Sequence, residues 1–100
     1  MSQSTYIVTT KLKAKPGCEN ELQDSLQNLI SPTLKEQGCI CYTLHRSQDN
    51  SSEFLFFETW SSLENFQAHL DSAHVQDWLQ NKSTLLSEPL ELINWQNIVN

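Results

Sequence analysis

One hundred residues suffice for one domain with one two-layer core, burying roughly 60–70% of the surface its unfolded chain would expose. The formal charge of -6 repels phosphate on average, and the six Lys and Arg form no basic stripe beyond Lys11, Lys13 and Lys15, which argues against nucleic acid as a partner. The roughly 18 consecutive apolar residues that a membrane span needs occur nowhere.

The opening MSQSTYIVTT has neither the basic start nor the apolar run of a signal peptide. Three cysteines, an odd number, do not suggest a disulfide framework. Cys39 and Cys41 stand two apart on an expected strand, about 6.5 Å between Cα atoms, at the outer limit of disulfide geometry. Reduced thiols in a cytoplasmic protein are the expectation.

In chain order, Thr5 to Lys13 alternates. Tyr6, Val8, Thr10 and Leu12 share one face and Ile7, Thr9 and Lys11 the other, which predicts a strand. The three lysines project from one face and read as a solvated edge. Pro16-Gly17 ends the strand. From Cys18 the period becomes helical, with Leu22, Leu26, Leu29, Ile30 and Leu34 on one stripe. Glu19 and Glu21 suit the first-turn dipole. Pro32 lies inside the pattern, so a kink or restart is expected near Ser31, which can cap a second short helix. Gly38 closes it in a left-handed conformation.

Cys39 to Arg46 reads as a second strand, with Ile40, Tyr42 and Leu44 opposite Cys39, Cys41 and Thr43. Ser47 to Ser52 is a polar hairpin connection. Glu53 to Trp60 follows as a third strand, Phe54, Phe56 and Trp60 pointing one way, Leu55 and Phe57 the other. A strand apolar on both sides must be covered on both sides. Ser61-Ser62-Leu63-Glu64 reads as a capping box, ahead of the apolar stripe Leu63, Phe66 and Leu70. Asp71-Ser72 can cap a further helix with Val75, Trp78, Leu79 and Leu86 near one face. Pro89 starts a last strand, where Leu90, Leu92 and Asn94 alternate with Ile93 and Trp95.

The order strand, helix, strand, strand, helix, strand predicts an α+β fold. It is a single domain over 1–100, a four-stranded antiparallel sheet with helices on one face. The other face is left bare. A homodimer in which two sheets close into a barrel is expected, at about 25 cal/mol per Å² of apolar surface buried.

Four pieces of sequence together resemble a known family. They are Lys15-Pro16-Gly17 before the first helix, Glu36-Gln37-Gly38-Cys39 followed by Tyr42, Phe57-Glu58-Thr59-Trp60, and His69-Leu70-Asp71-Ser72-Ala73-His74. The chain resembles the antibiotic biosynthesis monooxygenase domain, a dimeric α/β barrel of the ferredoxin-like βαββαβ type. The resemblance implies a pocket between each subunit's helices and its own sheet. It also implies oxygenation of quinols, anthrones or other electron-rich aromatics without metal or flavin. The deprotonated substrate reacts with dioxygen directly, so the protein must supply a base, a dry aromatic-lined cavity and donors for developing charge. The family also holds haem-degrading enzymes and an isomerase of a phosphorylated signal. This chain departs from both. Thr10 stands where the haem branch carries asparagine, and Trp78 stands near the place of its haem-binding histidine. Arg46, the one arginine, lies at the hairpin end rather than in the expected pocket.

His69 and His74 would lie some 140° apart on one continuous helix, but a break at Asp71-Ser72 lets them converge. With no third Cys or His nearby and no i, i+4 spacing, a zinc site is not expected. One imidazole could tie the strand–helix junction to backbone or to Glu58; alternatively it transfers a proton, since histidine titrates near neutrality. Glu58 interrupts an apolar face and must be paired or have its pKa raised. It reads as a hydrogen-bond acceptor or a general base. Trp60 packs the core or lines the pocket, and Tyr42 and Thr10 occupy positions that could face the same cavity.

The functional reading is a cofactor-independent monooxygenase acting on a small quinol-like or polyphenolic aromatic with dioxygen. His69 or His74 takes the proton, Glu58 orients the imidazole, and Trp60, Tyr42 and Trp78 wall the cavity. The alternatives are a dimeric small-molecule-binding or stress-associated module without catalysis, and an oxygen-independent isomerase using the same base.

Overall fold

Alternating side chains build the sheet from which everything else is hung. In the computed structural model, which describes residues 5–99, β1 (Tyr6–Lys13), β2 (Cys39–Arg46), β3 (Glu53–Trp60) and β4 (Glu91–Trp95) form one antiparallel sheet in the order β2-β3-β1-β4. Val8, Thr10 and Leu12 of β1 lie opposite Glu58, Phe56 and Phe54 of β3, and all six are buried. Four helices, α1 (Glu19–Gln27), α2 (Ile30–Leu34), α3 (Leu63–Leu70) and α4 (Ala73–Asn81), follow the strands as expected. Their apolar stripes supply Leu22 and Leu26, Phe66, and Trp78 to one core with the inner sheet face. This is the ferredoxin-like arrangement that the sequence pattern predicts. No helix among the described residues is long and apolar enough to cross a membrane.

The departures are local and each has a physical reason. The first helix stops at Gln27 and the chain restarts at Ile30, near Ser31 as expected, but Leu29 rather than Ser31 is at the cap and makes no side-chain cap bond. Pro32 then falls in the first turn of α2, where an amide hydrogen has no helical acceptor to lose. In β2, Cys39 lies opposite Trp60 and Cys41 opposite Thr59, so the register shifts between them. This bulge turns Cys39 to the inner face with Tyr42 and leaves Ile40 58% exposed, the reverse of strict alternation. The α3 cap is Ser62, whose hydroxyl accepts from Asn65 N. Glu64 therefore misses the third helical position, and no reciprocal capping box forms. Helix α4 ends at Asn81, and in the 3-10 turn Ser83–Leu85 it is Leu85, not Leu86, that is buried. Leu86 bridges to Ala14 instead, and β4 starts at Glu91 rather than Pro89.

Strand β1 is flanked by β3 and β4, so its lysines do not mark an edge. Lys11 stands on the sheet face that no helix covers, 3.8 Å from Glu53. On that same face Phe57, Ile93 and Trp95 are 38%, 37% and 49% exposed. Trp95 donates its indole N–H to Thr9 Oγ1 at 2.7 Å, which ties the ring to β1.

Gly38 joins α2 to β2 at φ +82°, and its carbonyl accepts from Ser61 N at 2.8 Å. A Cβ there would collide with the Asn65 side chain and the Ser61 hydroxyl. Gly17, at φ +85°, has open space around it. Gly17→Ala is expected to cost about 1–2 kcal/mol, the left-handed penalty alone. Gly38→Ala is expected to cost more, through the added clash. Urea denaturation of the two variants beside the parent measures the difference.

Candidate functional site

The inner sheet face and the helices above it do not meet everywhere. Between them lies a cavity of about 290 Å³, against about 150 Å³ for one known to admit a benzene ring. Thr10 of β1, Tyr42 of β2, Glu58 of β3, His69 of α3 and Trp78 of α4 contribute to its wall, and leucines supply much of the rest. Five elements thus each aim at least one polar or aromatic group at a largely apolar space.

Glu58 is 3% exposed. Thr10 Oγ1 donates to its Oε2 at 3.0 Å and Trp60 Nε1 to its Oε1 at 3.0 Å. Burial pushes this carboxyl above the usual carboxylate range, against the opposing pull of Trp60, His69 and Thr10. Tyr42 lies directly opposite on β2. Burial, and secondarily the Glu58 charge, drive its phenol upward too, so the hydroxyl stays neutral across ordinary pH.

The two histidines come together because the helix between them is interrupted. Helix α3 ends at Leu70 and Ser72 caps α4, its hydroxyl donating to His69 O at 2.6 Å and accepting from Val75 N at 3.4 Å. The rings then stand 6.0 Å apart. What joins them is Glu36, from the segment between α2 and β2. Its Oε2 lies 2.8 Å from His69 Nδ1 and 2.7 Å from His74 Nε2. A carboxylate oxygen accepts, so the partner assigns the proton of His69 to Nδ1 and leaves Nε2 as the acceptor. The His69 ring lies between Trp60, centroids 4.7 Å apart, and Tyr42, at 5.5 Å.

Of the residues expected at the site, Thr10, Tyr42, Glu58, His69 and Trp78 line the cavity. Trp78 is also pinned, donating its indole N–H to Ser25 Oγ at 3.0 Å. Three expectations need correction. Glu58 does not hold the imidazole: its Oε1 is 4.0 Å from His69 Nε2, and the orienting carboxylate is Glu36. Trp60 is fully buried in the core behind Glu58 and is not part of the cavity wall. His74 is set back from the cavity, bonded to Glu36 and 3.2 Å from Thr33 Oγ1. Glu36, at the head of the Glu36-Gln37-Gly38-Cys39 piece, carries no sequence signal of this pairing. It lies 33 residues from His69, and no local periodicity links them.

Residues 5–81 match the antibiotic biosynthesis monooxygenase family. The chain belongs to this family. It is 28% identical over 86 residues to the Synechocystis protein sll1783, of whose length it spans 58%. Over 87 residues it is 25% identical to YcnE of Bacillus subtilis, covering 87% of this chain and 92% of that protein; YcnE carries a provisional monooxygenase name. The solved structure of Rv0793 from Mycobacterium tuberculosis superposes with a TM-score of 0.90 at 26% identity, covering 97% of this chain and 98% of that one. PA3566 from Pseudomonas aeruginosa gives 0.90 at 22%, covering 96% of each, which shows a shared fold. As an antibiotic biosynthesis monooxygenase domain, the chain has its two recognisable histidines at an α3–α4 junction that the inner sheet face backs.

The raised Glu58 carboxyl has a consequence for stability. An acid that holds its proton more tightly when folded makes the folded state bind more protons than the unfolded one. Stability is therefore full below the unfolded value of about 4.5 and falls as pH rises through the folded value. Glu58→Gln can keep both side-chain contacts without ionising. Urea titrations between pH 4 and pH 8 should find the two proteins similar at the acid end and the variant gaining steadily toward pH 8.

Proposed function

We propose that this domain is a cofactor-independent monooxygenase that oxidises a small quinol-like or polyphenolic aromatic with dioxygen. The observation that carries the reading is His69, whose Nδ1 is committed to Glu36 while the ring lines a cavity large enough for an aromatic substrate. Its Nε2 is the free base. A phenolic hydroxyl placed against Nε2 loses its proton, and the resulting phenolate is electron-rich enough to reduce dioxygen. One oxygen atom enters the ring and the other leaves as water, with the quinol oxidised to a hydroxyquinone.

The surroundings favour that proton transfer. Glu36 on the opposite nitrogen stabilises the imidazolium formed. Burial pushes Glu58 toward its protonated form, and in that form it can donate a hydrogen bond to negative charge as it develops, the role a neutral carboxylic acid serves in an apolar site. Tyr42 and Trp78 hold the ring plane. Cys18, Cys39 and Cys41 are unbridged, which agrees with a reducing, cytoplasmic setting.

Oxygen consumption with a panel of hydroquinones tests the reading. Turnover should require dioxygen and should fall at least 100-fold in His69→Gln, the scale of a lost general base. A rate equal in parent and variant refutes it. Product formed equally well under argon would instead favour an isomerase.

The reading includes a homodimer. Phe57, Ile93 and Trp95 form an apolar patch on an otherwise uncovered sheet face, and a second copy of the same face would cover it. Phe57→Glu puts a charge in the middle of that patch. Sedimentation equilibrium should give twice the chain mass for the parent and a dissociation constant at least tenfold weaker for the variant.

A further inference from the structure

We infer that Glu36 Oε2, His69 Nδ1 and His74 Nε2 form a binding site for a divalent ion of the zinc class, and that its occupancy turns the cavity-facing nitrogen of His69 from acceptor to donor. The second half rests on the base assigned to His69 above; the first half does not.

The donors come from three separate segments and lie within 4.8 Å of one another. Two imidazole nitrogens and one carboxylate oxygen are the protein ligands of a zinc site that keeps an open position. Nitrogen donors select against calcium and magnesium, which take oxygen. The third ligand that sequence spacing could not supply is Glu36, reached through the fold.

On the carboxylate side the geometry needs only a small adjustment. The carboxylate oxygen now sits 2.8 and 2.7 Å from the two nitrogens. Tetrahedral coordination with bonds near 2.0–2.1 Å asks for about 3.3 Å between donors. A separation of roughly half an ångström on each side therefore accommodates the ion, which replaces the two hydrogens now bridging the cluster. Access is from the surface. The Glu36 and His74 side chains are 16% and 23% exposed, against 5% for His69. An ion enters past Glu36 and His74 without crossing the aromatic cavity.

The proton bookkeeping gives the consequence. A neutral imidazole that binds metal through Nδ1 carries its hydrogen on Nε2. Where each ring carries a single hydrogen, directed toward Glu36, metal binding shifts that hydrogen to the far nitrogen and none is released. His69 Nε2–H then faces Glu58 Oε1, now 4.0 Å away, in the carboxylate–histidine–metal order that orients metal-bound histidines. A ring arranged in this way has no lone pair to offer a substrate.

The test uses the full chain, stripped with chelator and titrated with Co(II) and then Zn(II). One Co(II) per chain is expected, with the visible bands of a tetrahedral site, and Zn(II) should displace it. Glu36→Gln and His74→Gln should each weaken binding at least tenfold, while His45→Gln, at the exposed third histidine, should not. Gln at position 36 retains an oxygen acceptor, and the partly exposed position 74 gives a second variant should the first fold poorly. Ring 15N shifts of His69 should report the exchange of protonated nitrogen on Zn(II) addition, independently of any turnover. Where oxygen consumption is present, Zn(II) should suppress it and chelator should restore it.

Failure to bind Co(II), or binding indifferent to Glu36→Gln and His74→Gln, overturns the site. Binding without a change of the His69 ring, or without inhibition of an active enzyme, overturns the switch. An inactive protein that binds the ion and changes tautomer leaves this inference standing and removes the proposed oxygenation alone.

Discussion

A single carboxylate oxygen that accepts from two imidazoles holds the functional end of this fold together. Glu36 Oε2 contacts His69 from α3 and His74 from α4, so the α2–β2 connection, one helix end and one helix start converge on one atom. The arrangement fixes which nitrogen of His69 is hydrogenated. It does so without using Glu58, which approaches the other nitrogen from the sheet. Two carboxylates therefore flank one ring. Their environments differ: the Glu36 side chain is 16% exposed and Glu58 only 3%. Burial pushes the inner one toward its protonated form, and the outer one serves as the acceptor.

That convergence depends on where the chain stops being helical. Five residues of uninterrupted helix would set His69 and His74 on different faces. Ser72 prevents this by capping α4 while its hydroxyl also satisfies His69 O. Its small side chain does two jobs at one corner, and the first turn of α4 is delivered to Glu36. Gly38 matters for the same reason. Its left-handed backbone turns the chain from α2 into β2, and its lack of a side chain leaves room for Asn65 and Ser61 at the start of α3.

Much of the fold was legible because the strands alternate. Strands β2 and β3 run from Cys39 to Arg46 and from Glu53 to Trp60, the spans that period, turn residues and Gly38 indicate. What failed were features that depend on neighbours. The bulge at Cys39–Cys41 answers to pairing with β3, and single-strand periodicity reports no pairing. The lysines of β1 looked like an edge because alternation cannot say which strand lies in the middle. At the site, the residue types on the inner face could be read off the strands. The carboxylate that holds the imidazole could not, because its spacing from His69 is a property of the folded chain. Trp60 was ambiguous for a related reason. Whether a tryptophan lines a cavity or backs it depends on what fills the space above it, and here Phe66 and His69 pack over the ring.

Strand β3 links the two faces of the sheet. Phe56, Glu58 and Trp60 point inward, and Leu55 and Phe57 point outward, because successive strand residues alternate. A slip of one residue would expose Glu58 and bury Phe57, so the register that builds the site is the register that builds the outer patch. The raised Glu58 carboxyl reflects a dry interior that Trp60 helps to fill, while the indole N–H donated to the same carboxyl pulls the other way. Covering the outer face would stiffen the strand from behind without touching any group in the cavity. The half-exposed Phe57 and the buried Glu58 are thus both placed by one strand register. The inner cavity wall and the outer apolar patch are therefore set by the same strand pairing, even though no side chain reaches across.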